Sequence, residues 1–330
     1  MESLQNIKQR LKSVGNIGQI TKAMELVAAT KMRKSQEIAI ASRPYAFAAL
    51  DLLAKLSNVE ALSLSPLLET RIVKKTAVVL VTSDKGLAGS FNSAVIREFE
   101  KYMARINADQ TSAPISADNR RESARYSFIA VGQKANAHLQ KRTHGVREKF
   151  VRVGDYTTVS QVSPIADLLT QGFIKKEWDE VIVFSTHFKT ALRQVILTRK
   201  ILPVDIASLK ATAEEMVPET GRFAELIKGK AVSFFNGKES ITSEYLIEPS
   251  PEIILKELIP HLVTMQIYHL VLEANASEHA ARRVAMKNAS ENAQELAENL
   301  TVVYNKSRQA SITRELIEIT AGAEALESDH

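Results

Sequence analysis

HLVTMQIYHLVLEANASEHAARRVAMKNASENAQELAENLTVVYNKSRQASITRELIEITA, residues 261–321, contains neither glycine nor proline. Those two residues are the usual punctuation of a chain, so their absence over such a stretch reads as one uninterrupted helix. At ~1.5 Å per residue it would reach about 90 Å. Ala289, Ala293, Leu296, Leu300, Val303, Ser307, Ala310, Arg314, Ile317 and Ala321 step alternately by four and three, a heptad-like seam. Several of those positions are Ala, Ser or Arg. A dimeric zipper would not dilute its core in this way, whereas a close-packed intramolecular helix pair could, with tertiary packing or a surrounding partner supplying what the seam lacks.

The partner helix lies at the other end of the chain. Between Ser3 and about Ser57 the only breakers are Gly15, Gly18 and Pro44. Leu4, Ile7, Leu11 and Val14 form an apolar stripe, which Ile17, Ile20, Met24 and Val27 continue with a shifted phase. The stripe then becomes rich in alanine (Ala28, Ala29, Ala39, Ala41, Ala46, Ala49), and small side chains let another helix approach closely. The polar side is basic: Lys8, Arg10, Lys12, Lys22, Lys31, Arg33, Lys34 and Arg43 outnumber Glu2, Glu25 and Glu37. Such a run by itself reads as a solvated helix face.

Between the helices lies an α/β block. TAVVLVTS, YSFIAVGQ and WDEVIVFSTHF read as strands, with helical patterns after Phe91, after Gln133 and from Ser163 to Lys175, which predicts a mostly parallel sheet. Ala191 to Leu202 and Lys230 to Phe235 read as further strands, Asn107 to Arg125 as a polar loop and Ser208 to Arg222 as an irregular segment. The predicted division is 1–62, an N-terminal coiled-coil helix; 63–248, a central α/β foot domain; and 249–330, a C-terminal coiled-coil helix. The fold class is therefore α/β, a Rossmann-like domain inserted between the two halves of a long antiparallel coiled coil.

The loop TSDKGLAGSFN, Thr82 to Asn92, raises the question of a nucleotide site, because a strand, a glycine loop and a helix are how many phosphate sites are built. It lacks G-x-x-x-x-G-K-[ST] and has two glycines where G-x-G-x-x-G has three. Asp84, Lys85 and Gly86 read equally well as a turn, with Ser90 or Asn92 capping the next helix.

Composition excludes other classes. The chain has no cysteine, which removes disulfides and thiolate metal sites, and its seven histidines show no ligand spacing. No apolar run approaches the ~18 residues that cross a bilayer, and the first residues have helical spacing where a secretory signal has an apolar block. A net charge of +5 and a pI near 9.2 raise a nucleic-acid binder. No aromatic stacking platform accompanies the basic helix, however, and Glu291, Glu295, Glu298, Glu315 and Glu318 would repel phosphates.

IGQITKAMELVAATKMRKSQ (residues 17–36), SEHAARRVAMKNASENA (277–293), YNKSRQASITRELIEITAGAEAL (304–326) and the TSDKGLAGSFN loop together resemble the gamma subunits of F-type ATP synthases. Ile312, Thr313, Glu315, Glu318, Gly322, Ala323 and Ala325 occupy that family's C-terminal pattern. The resemblance implies a non-catalytic rotor shaft with three alpha and three beta subunits around it, an epsilon subunit beside it and a membrane ring of c subunits under its foot. It calls for no cofactor, catalytic residue or metal, no nucleic acid and no inserted segment, and implies peripheral attachment at the cytoplasmic face of a bacterial inner membrane. The absence of a transit segment before the first helix favours a bacterial source. By the same resemblance Arg308 and Gln309 contact a beta loop with Thr313 and Glu315 nearby, Met24 sits near the beta lever loop, and Lys22, Lys31, Arg33 and Lys34 slide past acidic beta loops. Ile317, Ile319 and Leu326 would form the tip turning in an apolar collar. The alternative is a nucleotide-binding α/β enzyme with helical arms. Residues 107–125 and 208–237 look longer than in compact family members.

Overall fold

The computed structural model describes residues 3–42, 65–109, 125–142, 145–205, 248 and 250–327. The elements are α1 (Leu4–Ala41), β1 (Thr76–Val81), α2 (Phe91–Asp109), β2 (Tyr126–Val131), α3 (Gln133–Arg142), β3 (Val146–Phe150), α4 (Val159–Ile174), β4 (Glu180–Phe188), β5 (Gln194–Leu202) and α5 (Pro251–Glu327). Two compact units result: residues 1–28 with 283–330, and residues 29–282. Both α1 and α5 contribute to each.

The larger unit is built on a five-stranded sheet in the order β3-β2-β1-β4-β5, with β5 alone antiparallel to its neighbour. A strand covered on both faces has no polar side, and β1 is buried at every position. Alternate residues serve different layers. Ala77, Val79, Val81, Ile129, Val131, Val181 and Val183 face α4 and the stretch of α5 from Leu255 to Ala274, whereas Val78, Leu80, Phe128, Ala130, Ile182 and Phe184 pack on Val95 and Phe99 of α2 and Leu139 of α3.

Four differences from the sequence reading have physical causes. Strand β3, VREKF, went unrecognised because it is an edge strand with mostly exposed charged residues and carries no apolar run. Helix α5 starts at Pro251 instead of after Pro260: Pro251 occupies the first helical position, where its missing N–H costs nothing, and Ser250 Oγ accepts from the Ile253 N–H at 3.4 Å. Helix α4 likewise starts at Val159 and carries Pro164 internally, its entry fixed by Gln161 Oε1 accepting from the Thr158 N–H at 3.0 Å. Helix α2 runs to Asp109, beyond the loop start expected at Asn107. The expected strand at 230–235, the irregular segment 208–222 and most of the 107–125 loop lie outside the described residues, as does the first helix beyond residue 42.

The smaller unit corrects the expected seam. On α1 the inward positions are Leu4, Ile7, Leu11, Val14, Gly18, Thr21, Glu25 and Ala28, an unbroken heptad phase, so the shift toward Ile17 and Ile20 does not occur. Those two are 52% and 59% exposed. On α5 Met286, Ala293 and Leu300 are buried and Ala297 and Tyr304 half-buried, whereas Leu296 and Val303 face outward at 45% and 50% exposure. Around Gly18 small residues hold the inward places because the helices approach closely: a Cβ on Gly18 would sit 3.5 Å from the Ala293 Cβ, and the Ser290 hydroxyl donates to the Gly18 carbonyl at 3.4 Å. Thr21 stays inside by donating its hydroxyl to the Ile17 carbonyl at 2.9 Å.

One close approach in the larger unit sets a test. Trp178 is fully buried and donates its indole N–H to the Leu169 carbonyl at 3.0 Å, and a Cβ on Gly172 would stand 1.9 Å from its Cζ2. Overpacking a rigid ring costs about 1–3 kcal/mol. Gly172→Ala is expected to lower the melting temperature of the purified chain by several degrees, read by circular dichroism; an unchanged melt would show that the Trp178 pocket yields freely.

Candidate functional site

The carboxyl ends of the parallel strands are where an open α/β sheet places its ligands, and the TSDKGLAGSFN loop lies there. Its polar groups are turned inward. Asp84 Oδ1 accepts from the Gln133 N–H and Oδ2 from the Arg152 N–H, each at 2.9 Å. Thr82 Oγ1 accepts from the Ala135 N–H at 2.7 Å, the Ser83 carbonyl from the Lys134 N–H at 3.1 Å and the Gly132 carbonyl from the Asn136 N–H at 3.2 Å. The first N–H groups of α3 are thus satisfied, one of them by a carboxylate lying where a phosphate would have to lie. Gly132, at φ +94°, makes this possible, since a Cβ there would fall 2.1 Å from the Thr82 carbonyl oxygen. Asn92 closes the other side, its Oδ1 accepting from the Ser83 N–H at 3.0 Å. Geometry favours the turn over the nucleotide site.

The same end of the sheet holds a chain of charged groups from α1, α5 and two loops. Lys31 of α1 reaches Asp155 Oδ2 at 2.5 Å, and the Ser35 hydroxyl donates to the Asp155 carbonyl at 3.3 Å. From α5, His279 Nε2 stands 3.2 Å from Asp155 Oδ1, off the line of a good hydrogen bond, and Asn275 Nδ2 donates to the Gly154 carbonyl at 3.1 Å and the Thr157 hydroxyl at 2.8 Å. Arg282 extends the chain: Nη1 lies 3.2 Å from His279 Nδ1, and Nη2 donates to Glu278 Oε1 at 2.5 Å and to the Gly86 carbonyl at 3.2 Å. A guanidinium only donates, so Nδ1 accepts and the imidazole proton sits on Nε2, facing Asp155.

Burial and charge set the protonation states. Burial drives His279 down to about 4, with Asp155 opposing the shift and Arg282 and Lys31 adding to it. Burial pushes the Asp155 carboxyl up, but the Lys31 hydrogen bond and charge, with His279 and Lys85, hold it below the usual carboxylate range. Burial raises Glu278 above that range despite Arg282. Near neutrality the cluster therefore holds Asp155 anionic and His279 neutral.

The residues singled out from the sequence fall in two places. Lys31 belongs to this cluster and is not a free member of a basic sleeve. Lys22 pairs with Glu25 at 2.9 Å, and Arg33 and Lys34 both reach Glu37, at 3.2 and 3.7 Å. Met24 is half-buried in the helix pair. Arg308, Gln309, Thr313 and Glu315 are exposed along α5, where the Thr313 hydroxyl donates to the Gln309 carbonyl at 3.0 Å, and Ile317 and Ile319 are exposed beyond them. The Leu326 side chain lies outside the described residues. Asp155, Glu278, His279 and Arg282 were not anticipated; Glu278 and Arg282, one helical turn apart in a stretch of α5 otherwise turned to the core, were the available signal.

The family profile described as ATP synthase matches residues 3–326. A protein of Chlorobaculum parvum named ATP synthase gamma chain is 38% identical over 99% of this chain and 99% of its own length, and one of Roseiflexus castenholzii with the same name is 35% identical over the same shares. Among solved structures, the central stalk and c-ring of the Tetrahymena thermophila mitochondrial ATP synthase includes a chain 24% identical, with a TM-score of 0.55, covering 82% of this chain and 99% of its own. The Euglena gracilis OSCP/F1/c-ring assembly includes one 17% identical, with a TM-score of 0.60, covering 98% and 95%. These two support the fold.

The cluster makes stability pH-dependent with a defined sign. An unfolded imidazole takes up a proton near 6.5 and the folded His279 near 4, so between those values the unfolded state binds more protons and stability is lost as the pH is lowered. From pH ~7 to ~5 the His279 contribution is about 2 kcal/mol. Asp155 adds to the loss at still lower pH, as its carboxylate protonates, whereas Glu278 opposes it. Thermal melts of the purified chain are expected to drop over this range, and His279→Gln to flatten the drop; an equal drop in the variant would place the titrating group elsewhere.

Proposed function

The chain belongs to the ATP synthase gamma-chain family, and from that premise we propose how its residues divide the work of a central stalk. It is the rotor subunit of an F-type ATP synthase, coupling rotation of the membrane ring to the nucleotide sites of the surrounding subunits. We assign catalysis to the beta subunits and none to this chain.

The observation that carries the reading is the outward apolar surface of the helix pair. The seam is narrow around Gly18 and Ala293, and Ile17, Ile20, Leu26, Val27, Leu296 and Val303 face away from it, while Ile312, Leu316, Ile317 and Ile319 continue exposed along α5. Large apolar groups left outside a completed seam imply cover by another molecule. Spread along helices instead of gathered in one pocket, they give contacts that are individually weak, which suits a shaft that must leave each of three similar stations in turn. Differential contact with the open and closed states of those stations is how such a shaft makes chemically identical sites differ.

Within this reading Met24, Lys22, Arg33, Lys34, Arg308, Gln309, Thr313 and Glu315 meet the beta subunits, and Ile317, Ile319 and Leu326 turn in the apolar collar. The α/β unit is the foot, facing the c-ring and the epsilon subunit. Among the described residues no helix is long and apolar enough to cross a membrane. We place the chain peripherally, at the cytoplasmic face of a bacterial inner membrane, from its family membership.

Light scattering on the purified chain mixed with alpha and beta subunits, with an ATPase assay alongside, tests the reading. One copy per ring of three alpha and three beta subunits, with stimulated hydrolysis, is expected; a chain that stayed apart and bound nucleotide alone would favour the enzyme alternative. Exposed ion pairs are worth about 0–1 kcal/mol, so Arg33→Ala or Lys34→Ala is expected to change coupled hydrolysis only slightly. Complete loss from either single change would refute distributed contacts. Ala293→Pro puts a ring into the seam opposite Gly18 and should cost ~3 kcal/mol or more; full coupling with that variant would refute a continuous helix there.

A further inference from the structure

We propose that the loop 154–157 is a torque joint of the stalk and that Asp155 is its positioning residue, tying α1 to α5 and to the sheet so that both helices share the load. The inference rests on the central-stalk reading.

Unequal anchorage of the two helices makes such a tie necessary. In the larger unit α5 buries Leu255, Ile259, Leu262, Val263, Leu270 and Val271, among others, in the core against the sheet. Among the described residues of α1 only Ile38 and Ala39 pack against that core, and both are just partly buried. Apolar contact is non-directional and lets a helix turn or slide at small cost. Hydrogen bonds to charged groups have fixed directions and resist turning. The loop 154–157 supplies such a bond to α1, from Lys31 to the Asp155 carboxylate, beside the Ser35 hydroxyl donating to the Asp155 carbonyl; on the α5 side Asn275 donates to the Gly154 carbonyl and the Thr157 hydroxyl, and His279 faces the carboxylate without a hydrogen bond. Further along α5, Arg282 holds the Gly86 carbonyl and so ties the glycine loop into the same joint. Loop, α1 and α5 thus meet on one carboxylate that is itself only partly exposed.

Without the Asp155 carboxylate the apolar core would still fold and hold α5, and α1 would lose its charged hold, keeping the Ser35 bond to the backbone carbonyl of residue 155. The consequence is slip under load. At no opposing gradient the complex turns and hydrolyses ATP; as the opposing ion gradient grows, rotation of the foot and of the shaft fall out of step.

The test uses the reassembled complex in vesicles, carrying the wild-type chain, Asp155→Asn or Lys31→Met, with ATP hydrolysis and ion pumping recorded against an increasing opposing gradient. Both variants are expected to hydrolyse ATP near the wild-type rate and to lose pumping per ATP hydrolysed, the loss growing with the gradient. Because both remove the same tie, the double variant should be no worse than the poorer single one. Amide exchange at residues 31–38 should quicken by roughly tenfold on losing a charged hydrogen bond. Rescue exploits the absence of cysteine: a chain with Lys31→Cys and Asp155→Cys, bridged by a short thiol cross-linker before assembly, should recover load-resistant pumping that the unbridged chain lacks. Normal pumping by Asp155→Asn and Lys31→Met at every gradient would overturn the joint and leave the stalk reading intact, as would an equal, load-independent fall in hydrolysis and pumping. Should Asp155→Asn fail to assemble, Lys31→Met decides alone. A wild-type complex that hydrolyses ATP without pumping would instead sink the stalk reading.

Discussion

Much of this molecule follows from how closely two long helices approach. With Gly18 facing Ala293, and Thr21, Ala28 and Ala297 at neighbouring inward places, the seam has room for few large side chains. Heptad geometry then assigns Ile17, Ile20, Val27, Leu296 and Val303 to the outside. A pair built from leucine would bury its apolar groups in itself and present a polar exterior. Here the thin pair keeps little for itself and offers its larger side chains to whatever surrounds it, so narrowness and apolar exterior have one cause.

The sheet shows the complementary economy. Its fold is one that hosts nucleotides in many proteins, and its loops reach the customary place, yet the groups that would meet a phosphate are engaged within the chain. Asp84 sits on the start of α3, Thr82 and Ser83 serve the next N–H groups, and the Gly86 carbonyl is held by Arg282. A scaffold carries no function of its own. The strand ends that could have formed a ligand pocket instead hold the helices.

The long helices, the parallel core strands and the family signature were legible because each rests on a run of residues: no breakers in 261–321, continuous apolar stretches at β1, β2 and β4, and motifs of many positions. The heptad phase of α1 was misread at Ile17 and Ile20 because apolarity was taken to mark the inward face, whereas close approach puts glycine, threonine and alanine there. Strand β3 was illegible for the opposite reason, an edge strand needing no apolar side chains. Of the Asp155 cluster only the Glu278 and Arg282 pair left a trace in the sequence. Its members lie in α1, in the loop after β3 and in α5, three segments far apart in the sequence, and each alone is an ordinary polar or charged residue. Only the topology gathers them.

A rotating shaft has to satisfy two opposed demands. Toward the surrounding ring its contacts must be shallow, because a deep minimum at one station would halt the turn, and the exposed apolar groups and locally paired Lys22, Arg33 and Lys34 fit that demand. Within the chain its contacts must be directional, because in the central-stalk reading torque has to pass between the sheet and the helices α1 and α5. Directional ion pairs such as Lys31 with Asp155, part-exposed, and Arg282 with Glu278, largely buried, belong to the second category. Such pairs are poor sources of stability, but a joint is judged by the geometry it refuses to leave. The burial that depresses His279 keeps it uncharged between Asp155 and Arg282, so it can accept from the guanidinium and face the carboxylate without repelling either. The same imidazole, protonated, would face the guanidinium as a like charge. The joint is thus built from groups whose burial costs stability and fixes direction, and the shaft surface from groups whose exposure leaves direction free.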